Sequence, residues 1–142
     1  MAEVRELREG ESLRAAAALL ELRPHVGSPE AMAQRIDAQR AAGYRIVAAF
    51  DPDAAEAAAV AGFRIGENLA WGRFLYVDDL VTDEAVRSQG VGTALLEFLA
   101  EAARENGCAE LHLDSGVQRF GAHPFYLANR MDITSHHFGM KL

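Results

Sequence analysis

Residues 74–114 constrain this chain more than any other segment. Phe74, Leu75, Tyr76, Val77, Leu80 and Val81 mark a β-prone run, and Arg87-Ser88-Gln89-Gly90-Val91-Gly92-Thr93 follows as a glycine-containing turn. Leu95, Leu96 and Leu99 then form a helical stripe over 92–105, Asn106-Gly107 stops it, and residues 110–114 read as another strand. Strand, helix, strand in this order is a βαβ crossover, so its two strands are expected to be parallel and its connection right-handed. Gly90 and Gly92 suit a turn whose free amides and helix dipole hold an anion, although an ordinary helix start has the same composition. A dinucleotide fingerprint would need a third glycine and a P-loop would need Gly-Lys-Ser/Thr; neither is present.

The rest of the chain builds around that unit. Residues 2–8 suit a short strand, Ser12 a helix cap, and the Ala- and Leu-rich residues 13–22 a helix that Pro24 must end. Ser28-Pro29-Glu30 starts a second helix, with Met32, Ile36 and Gln39 at helical spacing until Gly43. Residues 44–50 are a strand closed by Asp51-Pro52-Asp53. Residues 54–61 are expected to join a strand through Phe63 and Ile65, with a hairpin over 66–71. A short helix over 123–129 and a last strand over 136–142 complete one domain, 1–142, with a mixed sheet and helices on both faces.

The formal net charge of −7 argues against a nucleic-acid binder and leans towards cationic partners. Cys108 is the single cysteine, so no internal disulfide forms, and a cytoplasmic setting is expected. Apolar runs fall well short of the roughly 20 residues that span a bilayer. His112, His123, His136 and His137 offer no ligand spacing, because the one adjacent pair would face opposite sides of a strand, and no metal site is expected.

The run from Leu80 through Thr82 to Arg87-Ser88-Gln89-Gly90-Val91-Gly92 resembles the acyl-CoA motif of the GNAT superfamily, Arg/Gln-x-x-Gly-x-Gly/Ala. The order of elements, ending in Ala122-His123-Pro124-Phe125-Tyr126, is similar across nearly the whole chain. The resemblance implies a GNAT acyl-CoA N-acyltransferase fold: a mixed, mostly antiparallel α/β (α+β) sheet with one splayed parallel strand pair. It implies acetyl-CoA as co-substrate, a primary amine on a small molecule or peptide as acceptor, and direct attack in a ternary complex. Leu80, Val81 and Thr82 would pair with the pantetheine arm; Arg87, Ser88, Gln89, Gly90, Val91, Gly92 and Thr93 would hold the pyrophosphate. Two family positions are not kept: Arg119 stands where asparagine is usual and Arg130 where glycine is usual. Ser115 and Gly116 would partly replace the asparagine contact beside Arg119, and Asn129 would take the left-handed turn.

Tyr126 would protonate the leaving thiolate, since a phenol with a reference pKa of about 10 is a proton donor at neutral pH; its other role is aromatic core beside Phe125. An attacking ammonium must first lose a proton, which points to Asp78 as base and Asp79 as the orienting group. Strand alternation would send these two carboxylates to opposite faces, and the competing role for either is an ion pair with Arg73 or Arg87. Residues 23–44 would shape the acceptor side. An acyl-CoA-binding module without turnover is the alternative function, and Phe138 and Met140 on an edge strand make a homodimer the expected assembly.

Overall fold

Arg45–Phe50 is buried at five of its six positions, and only a strand packed on both faces has no room for polar alternation. It is β2 of a five-stranded sheet in the computed structural model, which describes residues 3–82, 90–115 and 122–142. The other strands are β1 (Glu3–Glu6), β3 (Ala59–Asn68), β4 (Gly72–Thr82) and β5 (Glu110–Leu113), in spatial order β1-β2-β3-β4-β5. The first four pair antiparallel. β4 and β5 form the parallel pair, and the Ala109 N–H donates to the Arg73 carbonyl at 3.0 Å where both begin.

Helices α1 (Leu13–Leu22) and α2 (Pro29–Arg40), joined through a 3-10 turn at Pro24–Val26, pack with Ile46, Ala48, Phe50, Val60 and Val81 in one core cluster. Alternation turns Val47 and Ala49 to the other face, where α3 (Val91–Glu105) buries Leu95, Leu96 and Leu99. The chain divides into two compact units, Met1–His112 and Leu113–Leu142; the second carries α4 (Ala122–Ala128).

Local chemistry explains most boundaries. The Ser28 hydroxyl accepts from the Ala31 N–H at 3.1 Å and Pro29 opens α2, as the sequence predicts. Ser12, however, does not cap α1: its backbone is already helical and its hydroxyl donates to Asp37 Oδ1 at 2.5 Å, tying α1 to α2. Residues 54–58 are not strand, because α1 takes the hydrogen bonds of Ala54, Ala55 and Ala57 that a ladder would need. The Arg14 guanidinium binds the Ala54 and Ala55 carbonyls, and the Ala57 N–H donates to the Arg14 carbonyl. Residues 136–142 are not strand either. Alternation makes no strand without a ladder partner, Gly139 weakens the run, and Phe138 and Met140 are exposed. After α4 it is Arg130, at φ 66°, that turns left-handed. Asn129 instead folds its side-chain amide back onto the Phe125 carbonyl at 2.8 Å.

Candidate active site

The register between β3 and β4 slips at one place. Gly62 pairs with Asp79 and Phe63 with Val77, so Asp78 is the extra residue of a β-bulge. In a regular strand Tyr76 and Asp79 would face opposite sides; the bulge resets the phase, and Tyr76, Asp78 and Asp79 all line one cavity. This corrects the expectation that the two carboxylates face apart. The bulge spends one residue to aim both inward.

Neither carboxylate pairs with Arg73, which instead binds the Asn106 carbonyl and Glu67. Asp79 is held at both oxygens: Arg23 Nε donates to Oδ1 at 2.9 Å and the Tyr44 hydroxyl to Oδ2 at 2.7 Å. Arg23 also reaches the Asp78 carbonyl at 3.2 Å, so the end of α1 is clamped to the bulge. Asp78 receives Arg64 Nε on Oδ2 at 2.8 Å, and among the described residues its Oδ1 has no partner. Arg64 is itself steadied by Gln39 and lies over the Tyr44 ring.

Tyr44 is buried, and burial, reinforced by the charge of Asp79, pushes its phenol well above the ordinary range. It therefore stays a donor. Its hydroxyl occupies space that only a glycine leaves open, since a Cβ on Gly62 would lie 1.8 Å from the Tyr44 oxygen. The cavity, about 380 Å³, has a floor of Leu19, Val26, Met32 and Ile36 from α1, the 3-10 turn and α2. Arg23, His25 and Arg35 bring positive or titratable groups to it. Its lining is drawn from residues 19–79 and includes several of residues 23–44.

At the far end of β4, Leu80, Val81 and Thr82 pair with Ala61, Val60 and Ala59 on the β3 side. β4 has eleven residues and β5 four, and because the two start level, β4 outruns its parallel neighbour. Gly90 precedes α3 with φ 79° and no side chain capping the helix, so Val91, Gly92 and Thr93 present first-turn amides without intrahelical acceptors. Arg87, Ser88, Gln89, Gly116 and Arg119 lie outside the described residues. Within the second unit Ser115 carries a buried hydroxyl without a partner among the described residues, and Tyr126 is a buried residue of α4 in edge-to-face contact with Phe125.

The acetyltransferase (GNAT) family model matches residues 12–130, most of the chain. The chain belongs to the GNAT family. Acetyl transfer from acetyl-CoA to an amine is the chemistry of that family. A curated relative, the uncharacterised N-acetyltransferase YhdJ of Bacillus subtilis, is 44% identical over 55 residues, and the match covers 39% of each protein. An acetyltransferase of Trypanosoma brucei is 25% identical over the full length of both chains, with a TM-score of 0.77. An aminoglycoside N-acetyltransferase solved in complex with CoA is similar in fold alone: 13% identity, TM-score 0.85, covering 100% of this chain and 95% of that one.

In this GNAT chain the residues that sequence inspection missed are the partners of the carboxylates: Arg23, Tyr44 and Arg64. One signal was available. Gly62 interrupts a run that is otherwise strand, and an interior strand glycine marks a bulge or a close approach; here it marks both. The described residues contain no group of His, Cys, Asp and Glu that could hold a metal, and no helix long and apolar enough to cross a membrane.

Proposed function

We propose that this chain, as one domain over 1–142, moves an acetyl group from acetyl-CoA to a primary amine by direct attack in a ternary complex. The observation that carries it is the bulge that brings Asp78 and Asp79 to one cavity of small-molecule size. Asp79, saturated by Arg23 and Tyr44, orients; Asp78, with one oxygen unpartnered among the described residues, takes the proton from the ammonium. The neutral amine attacks the thioester carbonyl, forming the new C–N bond. Collapse of the tetrahedral intermediate breaks the C–S bond as its nitrogen gives up a second proton; the Tyr126 phenol protonates the departing thiolate and is reprotonated through solvent by the proton the nitrogen releases.

The residues fit an acyl-CoA. Amides of Val91, Gly92 and Thr93, behind the left-handed Gly90, suit the pyrophosphate together with Arg87, Ser88 and Gln89. The end of β4 beyond β5 offers Leu80, Val81 and Thr82 to the pantetheine amides. The Ser115 hydroxyl, without a partner among the described residues, would supply a further polar contact, and Arg119 another. A cytoplasmic location accords with the lone free Cys108, and a homodimer would cover the exposed Phe138 and Met140.

The test pairs acetyl-CoA calorimetry with turnover on a panel of amines. Tyr126→Phe is expected to bind acetyl-CoA like wild type and to lose roughly 100-fold in kcat. Wild-type turnover by Tyr126→Phe across the pH range would end its role as acid. Tight acetyl-CoA binding with no amine acetylated would leave a binding module.

A further inference from the structure

The cavity does not share the acidic balance of the chain. Although the chain carries a formal −7, two guanidinium groups, Arg23 and Arg35, line the cavity together with two carboxylates, Asp78 and Asp79. Arg23 is committed to Asp79 and Arg64 to Asp78. Arg35 is committed to neither, and among the described residues neither it nor His25 has a hydrogen-bond or ion-pair partner.

The placement of Arg35 is set by its helix. Met32, Arg35, Ile36 and Gln39 of α2 line the cavity at the 3, 4, 7 spacing of a single helical face. Met32 and Ile36 are buried, so this stripe is the inward one, and Arg35 interrupts it with an exposed cation. His25 adds a second donor from the 3-10 turn. A guanidinium fork matches two oxygens of a carboxylate or phosphate, and an imidazole lining the same cavity can add a further hydrogen bond.

We infer that the acceptor carries an oxyanion, carboxylate or phosphate, as well as its amine: Arg35 and His25 hold the oxyanion while the ammonium faces Asp78. This deepens the acetyl transfer proposed above and rests on it. The acceptor is thus a compact amino acid or phosphorylated amine rather than a plain polyamine, and the oxyanion end sets the direction in which the amine enters.

The experiment compares matched amines, an amino acid against its amide and phosphoethanolamine against ethanolamine, using wild type, Arg35→Gln and Arg35→Lys. Arg35 is exposed, and thermal melts of both variants beside wild type check that they fold. The expected result is a preference for one anionic member of the panel. Arg35→Gln then raises KM for it about 10- to 100-fold with kcat nearly kept, Arg35→Lys restores part of the loss, and the neutral counterpart is unaffected. The preferred pair says whether carboxylate or phosphate is read. Equal turnover of neutral and anionic members, or an unchanged KM in Arg35→Gln, would overturn the oxyanion site and leave the transferase standing. Acetyl-CoA binding without turnover of any amine would overturn both.

Discussion

The Tyr44 hydroxyl donates to Asp79 Oδ2 at 2.7 Å through a space that the missing side chain of Gly62 keeps open. Gly62 is also the residue paired with Asp79 across the ladder. One glycine therefore permits both the bulge partner and the buried donor that holds the carboxylate.

Gly62→Ala is expected to destabilise the fold by about 1–3 kcal/mol, the usual cost of forcing atoms into a packed site. The new Cβ would meet Tyr44 Oη at 1.8 Å, Cζ at 2.4 Å and Cε1 at 2.7 Å. Urea melts of a double-mutant cycle check the origin of the loss. Adding Tyr44→Phe should relieve only part of it, because ring carbons still collide, whereas Tyr44→Leu should relieve more. Strict additivity in both cycles would show that the two residues do not collide.

Asp78→Asn and Asp79→Asn should differ in kind. Asp78→Asn removes the proposed base and is expected to lower kcat by about 100-fold or more while acetyl-CoA binds normally. Asp79→Asn leaves Arg23 and the buried Tyr44 without their anion, so it should lower the melting temperature as well as kcat/KM. Steady-state kinetics beside thermal melts separate the two; equal loss of stability would remove the distinction between base and orienting group.

At Gly90 the backbone is left-handed, φ 79°, with nothing within 4 Å of an added Cβ. Gly90→Ala should therefore cost only backbone strain, about 1 kcal/mol. Gly90→Glu adds a negative charge at the proposed pyrophosphate position and should abolish measurable acetyl-CoA binding in calorimetry. Retained affinity in Gly90→Glu would move the cradle elsewhere.

Glu11 contributes to the acid limb of stability. The Arg5 guanidinium, bound to both its oxygens, chiefly holds its carboxyl down to about 2, with help from the Arg8 N–H and Arg14. Because the folded value lies below the ordinary carboxylate range, the stabilisation is complete above about pH 4.5 and is lost as pH falls towards 2. Glu11→Gln should flatten that limb in pH-dependent urea melts. An unchanged slope between pH 4.5 and 2 would show that the Arg5–Glu11 pair contributes nothing there.

Much of this was legible in residue order. The Leu95, Leu96, Leu99 stripe, the Ser28-Pro29 start and the Gly90 and Gly92 turn each rest on contacts within a few residues, so the βαβ unit, both early helices and the pair Asp78-Asp79 could be read directly. The same local signals misjudged residues 54–58, whose carbonyls are taken by Arg14 some 40 residues earlier in the chain. They also misjudged residues 136–142, where apolar alternation found no ladder.

By itself the sequence determined the family, the glycine start of α3 and the adjacent carboxylate pair in β4. Only the tertiary structure decided where those carboxylates point. Alternation predicts opposite faces for Asp78 and Asp79, but a ladder slip against Gly62 resets the strand, and slips depend on a partner strand that no local pattern specifies. Arg23, Tyr44 and Arg64 reach the same two residues from separate elements, so the charge each carboxylate sees, and the cavity they share with Arg35, exist only once the chain is folded.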